Sequence, residues 1–305
     1  MEDNLDQDWL IVGGSPRSGT TLMALLLNSH PNIFLTNEHN LPQILNILKK
    51  AFFKENEFYR INSNFERNKG VKETWTNKDI LDQTLQKKNS LNGVAAFLYQ
   101  QNARALGKVN PLIVGDKLPR YYFVDFEEFS NVVEKPIKII HISRHPLDVI
   151  NSMLIRYQNR LKGKDTWTLT STLEESLNEW IHGWNSVVKN ESQQILHIKY
   201  EDLCLFDTKI ILEKISSFLL IPNTFNANII ETNQSKHFER KALNDDHIIK
   251  IKNHLGSLLN DWNETNLQVL IERYGEFPTI NTIKKESKIL SKINSLKKKI
   301  FRKKI

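Results

Sequence analysis

Trp9-Leu10-Ile11-Val12-Gly13-Gly14-Ser15-Pro16-Arg17-Ser18-Gly19-Thr20-Thr21-Leu22-Met23-Ala24-Leu25-Leu26-Leu27 is the stretch that decides the fold class. A four-residue apolar run stops at paired glycines, and a second apolar stretch resumes behind Thr20-Thr21. The pattern predicts strand, tight loop, helix. A glycine-bearing turn of this kind can aim successive amide hydrogens at an oxyanion, and the helix N-terminus behind it favours the same negative charge. The spacing approaches the nucleotide loop GxxxxGK[ST], but Thr20 stands at the lysine position. A conventional ATPase loop uses that lysine on the β- and γ-phosphates, which argues against a nucleoside triphosphate. Arg17 instead places a cation inside the turn, and Thr20 and Thr21 offer hydroxyls to a compact anion. A merely structural strand-to-helix turn is the alternative.

Working outward, Pro136 to Ser143 reads as a second buried strand, followed by a helix from Pro146, whose fixed φ suits a first turn. Residues 172–189 carry Leu173, Leu177, Trp180, Ile181, Trp184 and Val188 near one helical stripe, and Ile195 to Tyr200 reads as a further strand. Ile210 to Leu220 predicts a helix, as do residues 41–60 and 77–107, whereas the polar residues 223–252 resist assignment. Strands separated by helices imply an α/β fold with a mostly parallel central sheet flanked by helices, opened by the P-loop-like turn. Neither a repeat nor a linker divides residues 1–280. They are expected to form one domain, with 281–305 as a separate tail.

The 305 residues are 40% apolar, with 15 Phe and 6 Trp, enough to fill a sizeable core. Cys204 is the single cysteine, which precludes an intrachain disulfide and a paired-thiolate zinc site and suits a reducing compartment. Net charge is +7, but from Lys284 onward ten cations face only Glu286, a balance of +9 that leaves −2 for residues 1–283. A basic nucleic-acid-binding face is therefore not expected. The acidic start and short apolar run of MEDNLDQDWLIVGG do not suit a secretory leader, and no apolar run is long enough to span a bilayer. A cytoplasmic location is expected. Ile289, Ile293, Leu296 and Ile300 recur among the tail lysines at helical spacing. Three roles stay open for that tail: peripheral contact with an anionic membrane, packing against a partner helix, or solubilisation.

A second candidate contact set runs from Arg144 through Arg156. Ser152 and Arg156 are four residues apart and can share a helix face, with Arg144 approaching from the preceding loop. Arginine donors plus a serine hydroxyl suit a terminal phosphate. A solvated helix surface and an unrelated strand-end charge are the alternative.

Together these elements resemble the sulfotransferases that use 3′-phosphoadenosine 5′-phosphosulfate (PAPS). GSPRSGTTLMALLLNSHPNIFLTNEHN (residues 14–40) and INSMLIR (150–156) are most similar to the tyrosylprotein sulfotransferase-like branch. The resemblance extends over about residues 11–275. It implies that Arg17, Ser18, Gly19, Thr20 and Thr21 hold the 5′-phosphosulfate, that Arg144, Ser152 and Arg156 engage the 3′-phosphate, and that Tyr200 contacts the cofactor. It further implies that Glu38 is the catalytic carboxylate and that Lys117, in Gly115-Asp116-Lys117-Leu118-Pro119, stands near the transferred group.

These implied roles fit the residue types. Glu38 can take a proton from an acceptor hydroxyl, while Lys117, Arg17 and the loop amides stabilise charge on the departing phosphate. No metal is required. Glu38 has as its alternative a carboxylate stabilised by local amides where a helix begins, with His39 as a neighbouring candidate base. Lys117 could be a surface cation and Tyr200 an ordinary sheet-edge aromatic. Residues 235–241 loosely resemble a cofactor-covering segment, so Arg240, Lys241 and Lys250 could reach the nucleotide or form a solvated cationic loop. Lacking an anchor and an internal disulfide, the chain is expected to sulfate a hydroxyl on a small molecule, glycan or lipid-linked precursor rather than a secreted protein. A P-loop-like kinase and a nonenzymatic nucleotide-binding or membrane-adaptor protein are the competing functions.

Overall fold

The structure, a computed structural model, describes residues 7–40, 43, 90–124, 127, 130, 135–165, 170–189, 194–233 and 240–280. Five strands, β1 (Asp8–Gly13), β2 (Ile33–Asn37), β3 (Ile113–Lys117), β4 (Ile137–Ser143) and β5 (Ile195–Lys199), form one sheet in the order β2-β3-β1-β4-β5. Every neighbouring pair is parallel, with Val12 of β1 in register with Lys117 of β3 and Ile140 of β4. The described helices are α1 (Thr20–Asn28), α2 (Ser90–Ala105), α3 (Pro146–Leu161), α4 (Leu173–Lys189), α5 (Thr208–Leu219), α6 (Asn228–Asn233), α7 (Asp245–Leu255), α8 (Leu258–Asp261) and α9 (Leu267–Tyr274).

β1 is apolar on both faces because both are covered. Leu10 and Val12 join a cluster with Met23, Leu26 and Leu27 of α1 and Ile211 and Ile215 of α5. Trp9 and Ile11, pointing the other way, pack with Ala96, Tyr99 and Ala103 of α2 and with Tyr121. A third cluster joins α3 and α4 to α7, α8 and α9 around Trp180, Trp184 and Trp262. Trp180 and Trp184 stack with ring centroids 5.6 Å apart, and each lies 6.0 Å from Trp262. Three such aromatic side chains bury large areas where the C-terminal helices meet α4.

The chain leaves β1 through α1 toward β2, returns in β3 beside β1, and then crosses to β4 on the other side. β1 is therefore the point where the winding direction reverses, and the crevice beyond its C-terminal end is the expected ligand position in such a sheet.

The strands expected at Trp9–Val12, Pro136–Ser143 and Ile195–Tyr200 appear as β1, β4 and β5, and the helices at 172–189 and Ile210–Leu220 appear as α4 and α5. β2 and β3 are not legible in the sequence. Each has five residues, IFLTN and IVGDK, with apolar runs of only three and two, and the mid-strand Gly115 weakens the second further. The unassigned polar stretch 223–252 contains α6 and most of α7. The helix expected over 77–107 appears as α2 from Ser90, whereas its part 77–89, the helix expected over 41–60 except residue 43, and the tail 281–305 lie outside the described residues. Among the described residues no helix is long and apolar enough to cross a membrane.

Candidate functional site

Parallel pairing brings the C-terminal ends of all five strands to one edge, and each end delivers a residue singled out in the sequence. Glu38 follows β2, Lys117 ends β3, the Gly14–Gly19 turn follows β1, Arg144 follows β4 and Tyr200 follows β5. They therefore stand along the edge in that spatial order although they span more than 160 positions of sequence.

In the turn after β1, the Ser18 N–H donates to the Ser15 carbonyl at 3.1 Å. Arg17 and Gly19 take positive φ, 73° and 109°. Gly19 is required twice over, since a Cβ there would also lie 2.4 Å from the Tyr200 ring. Helix α4 presses on the same turn: a Cβ on Gly183 would fall 2.0 Å from Ser15 Oγ. Beyond the turn opens a cleft of about 280 Å³, lined by Arg17, Gly19, Thr20, Thr21, Arg144 and Tyr200, with Leu22 and Leu25 on its apolar side. The Arg144 guanidinium sits 4.5 Å from the centroid of the Tyr200 ring, a cation–π contact. Arg144 Nε and Ser18 Oγ are both buried and make no hydrogen bond within the chain. An unmet buried donor costs about 1–3 kcal/mol, and an anion's oxygens are the partner such donors fit.

Arg17 and Arg144 line this cleft, and Ser152 and Arg156 of α3 lie next to Arg17 outside its lining. Arg17 Nε donates to Ser152 Oγ at 2.9 Å, joining a residue of the turn to a residue of α3. Arg156, one helical turn beyond Ser152, is held through Nε at 2.7 Å and Nη2 at 3.3 Å by the two carboxylate oxygens of Asp165. Desolvation, followed by the like charges of Arg156 and Arg144, pulls Arg17 below its ordinary pKa, while Asp165 pulls the other way. The site thus carries excess positive charge at close quarters, the electrostatic condition for binding a multivalent anion.

At the other end of the row, Lys117 Nζ donates to Glu38 Oε1 in a close ion pair. The Lys117 side chain is 4% exposed and that of Glu38 46%, so the carboxylate can be reached by an incoming hydroxyl. Glu38 is not a carboxylate resting on local amides. It leaves β2 with a left-handed backbone, φ 59°, and its own N–H donates to the Lys117 carbonyl at 2.9 Å. The fully buried Asp116 secures the next residue, accepting from the His39 N–H at 3.2 Å and from Thr36 Oγ1 at 2.8 Å. Such a non-glycine conformation costs about 1–3 kcal/mol and persists only where surrounding bonds enforce it.

A buried polar scaffold fixes the Arg144 loop. Trp180 Nε1 donates to the Arg144 carbonyl at 3.0 Å, and Glu201 accepts from the His145 N–H at 2.9 Å and from Trp262 Nε1 at 3.0 Å. His145 caps α3, its Nδ1 accepting from the Leu147 N–H at 3.2 Å, which leaves Nε2–H to donate to the Leu259 carbonyl at 3.1 Å. Burial pushes His145 down to about 4 and raises Glu201 above the ordinary carboxylate value. Lys199 is buried beneath, donating to the carbonyls of Trp262 at 2.6 Å and Thr265 at 3.0 Å.

Tyr200, just beyond the edge strand β5, is 3% exposed and lies between Gly19 and Arg144. Of the segment 235–241, only Arg240 and Lys241 are described. Arg240 Nε is drawn onto Asp148 of α3 at 3.0 Å. Asp116, Asp165 and Glu201 were not expected from the sequence to contact the singled-out residues. Asp116 and Glu201 lie beside singled-out residues, but a strand-end carboxylate does not disclose in sequence which backbone it will hold.

A family model described as "Sulfotransferase family" matches residues 10–225. Among solved structures, the sulfotransferase domain from the curacin biosynthetic pathway is 19% identical at TM-score 0.45, over 89% of this chain and 99% of that one. The sulfotransferase domain of the Synechococcus PCC 7002 olefin synthase is 17% identical at TM-score 0.42, over 91% and 98%. A sulfotransferase from Alicyclobacillus acidocaldarius is 14% identical at TM-score 0.45, over 87% and 98%. No curated protein sequence matches. With the family model reaching from within β1 to beyond α5, over more than half of the chain, the chain belongs to the sulfotransferase family.

Proposed function

We propose that the chain transfers a sulfuryl group from PAPS to an acceptor hydroxyl. The observation that carries this reading is the convergence at one sheet edge of the Arg17–Thr21 turn, Arg144 and Tyr200 around a cationic cleft, with the Glu38–Lys117 pair at the adjacent strand ends. The buried donors Arg144 Nε and Ser18 Oγ suit an anionic cofactor, as does the arginine cluster.

When bound, PAPS supplies an electrophilic sulfur whose bond to the bridging phosphate oxygen breaks as the acceptor oxygen bonds to it. In this reading Arg17, Ser18, Gly19, Thr20 and Thr21 bind the 5′-phosphosulfate, and Arg144, Ser152 and Arg156 bind the 3′-phosphate. Tyr200 positions the nucleotide from beneath Arg144. Glu38 accepts the acceptor's proton. Lys117 orients that carboxylate and offers positive charge to the oxygen that leaves sulfur.

The finer branch, tyrosylprotein sulfotransferase-like, rests on residues 14–40 and 150–156 of the sequence. For the acceptor we favour a hydroxyl on a small molecule, glycan or lipid-linked precursor, handled in the cytoplasm with the basic tail at an anionic membrane surface. Incubating the protein with radiolabelled PAPS and a panel of hydroxyl acceptors tests the reaction. Label transfer to at least one acceptor class, lost in Glu38→Gln, is the expected result. Calorimetric binding of ATP in preference to adenosine 3′,5′-bisphosphate would overturn it.

A further inference from the structure

We propose that Asp165 is a chain-borne competitor for the 3′-phosphate: its carboxylate holds the edge of Arg156 that a phosphate would use, and so sets the affinity of the cleft for 3′-phosphorylated nucleotides. Resting on the cofactor reading above, this assignment adds an affinity-determining residue to it. Asp165 lies four residues beyond α3 and reaches back over nine positions to Arg156. The chain reverses through Gly163, φ 67°, with the Gly163 N–H on the Arg160 carbonyl at 2.9 Å and the Lys164 N–H on the Asn159 carbonyl at 2.8 Å. That turn returns an anion to the same helix that presents Ser152 and Arg156.

The pairing uses both carboxylate oxygens, at 2.7 and 3.3 Å, on Nε and Nη2 of Arg156. One edge of a guanidinium forks onto two oxygens of one oxyanion at a time, so carboxylate and phosphate contend for it. Asp165 also acts on Arg17 in the sense opposite to Arg144 and Arg156. It therefore stands as a negative charge inside an otherwise cationic cluster, where it repels an incoming phosphate.

The test is calorimetric titration of the full chain and its Asp165→Asn variant with adenosine 3′,5′-bisphosphate and with adenosine 5′-monophosphate. The variant is expected to bind the bisphosphate about threefold to fivefold more tightly, as loss of a partly exposed charge predicts, with the monophosphate hardly changed. In an Arg156→Ala background the gain should shrink, because only the direct charge effect of Asp165 is left. Unchanged or weaker bisphosphate binding would overturn the proposal, the weaker result making Asp165 a support that orients Arg156. Equal tightening toward both nucleotides would also overturn it, because the effect would then not be addressed to the 3′-phosphate. Asp165→Ser, which removes the charge through a different side chain, must shift bisphosphate affinity the same way. If the unmodified protein itself shows no preference for the bisphosphate, the cofactor reading fails and this inference with it; if the preference holds and only the gain is missing, this inference alone fails.

Discussion

Lys117, buried at the end of β3, holds the half-exposed carboxylate of Glu38 at the end of β2, two strand ends made neighbours by parallel pairing. The ion pair orients a solvent-accessible acid beside a desolvated cation. Glu38→Gln should consequently retain nucleotide affinity while lowering single-turnover sulfuryl transfer by about 10²-fold or more, as expected when a general base is removed. An unchanged chemical step at saturating PAPS would transfer the base role to His39 or a water.

Gly19→Ala combines a side chain at φ 109° with a methyl 2.4 Å from the Tyr200 ring. The strained backbone alone costs about 1–3 kcal/mol. Thermal unfolding should show a Tm lower by several degrees, and nucleotide titration should show weakened binding, because the ring that carries Arg144 must move.

Arg144→Ala should weaken adenosine 3′,5′-bisphosphate far more than adenosine 5′-monophosphate. A charge-assisted contact to phosphate is worth about 1.5–3 kcal/mol, or about tenfold to a hundredfold in affinity. Equal losses on the two nucleotides in a calorimeter would remove Arg144 from the 3′-phosphate site.

His145 also makes a pH dependence. Its folded pKa is depressed from 6.5 to about 4 by burial, so between those values the unfolded chain binds more protons. Stability should fall as pH drops from 6.5 toward 4, with buried His141 acting in the same direction and the raised Glu201 opposing. Urea midpoints across that window should decline less steeply in His145→Asn, since Asn can still cap α3.

Deleting residues 282–305 removes the +9 segment beginning at Lys284. Sedimentation with anionic vesicles should drop, most visibly at low salt where charge attraction is least screened. Turnover of a water-soluble acceptor should persist. Equal sedimentation before and after deletion would refute the membrane contact.

By itself the sequence determined the strand-turn-helix at Trp9–Leu27 and the strands and helices of strongest apolar pattern, whereas Glu38, Lys117 and Tyr200 were singled out only by the family resemblance. Those signals are local: glycines at special backbone positions, a proline in a first turn, and apolar runs covered on both faces. β2 and β3 remained hidden because five-residue strands ending in Thr36-Asn37 and Asp116-Lys117 spend their polar residues on the site and keep too little apolar pattern. Only the tertiary structure decided which charges meet. Lys117 finds Glu38 across 79 positions, Arg17 finds Ser152 across 135, and Glu201 braces His145 across 56. Such pairings follow from the order in which parallel strands assemble and from burial that forces each polar group to find a partner, and neither is written in the spacing of neighbouring residues.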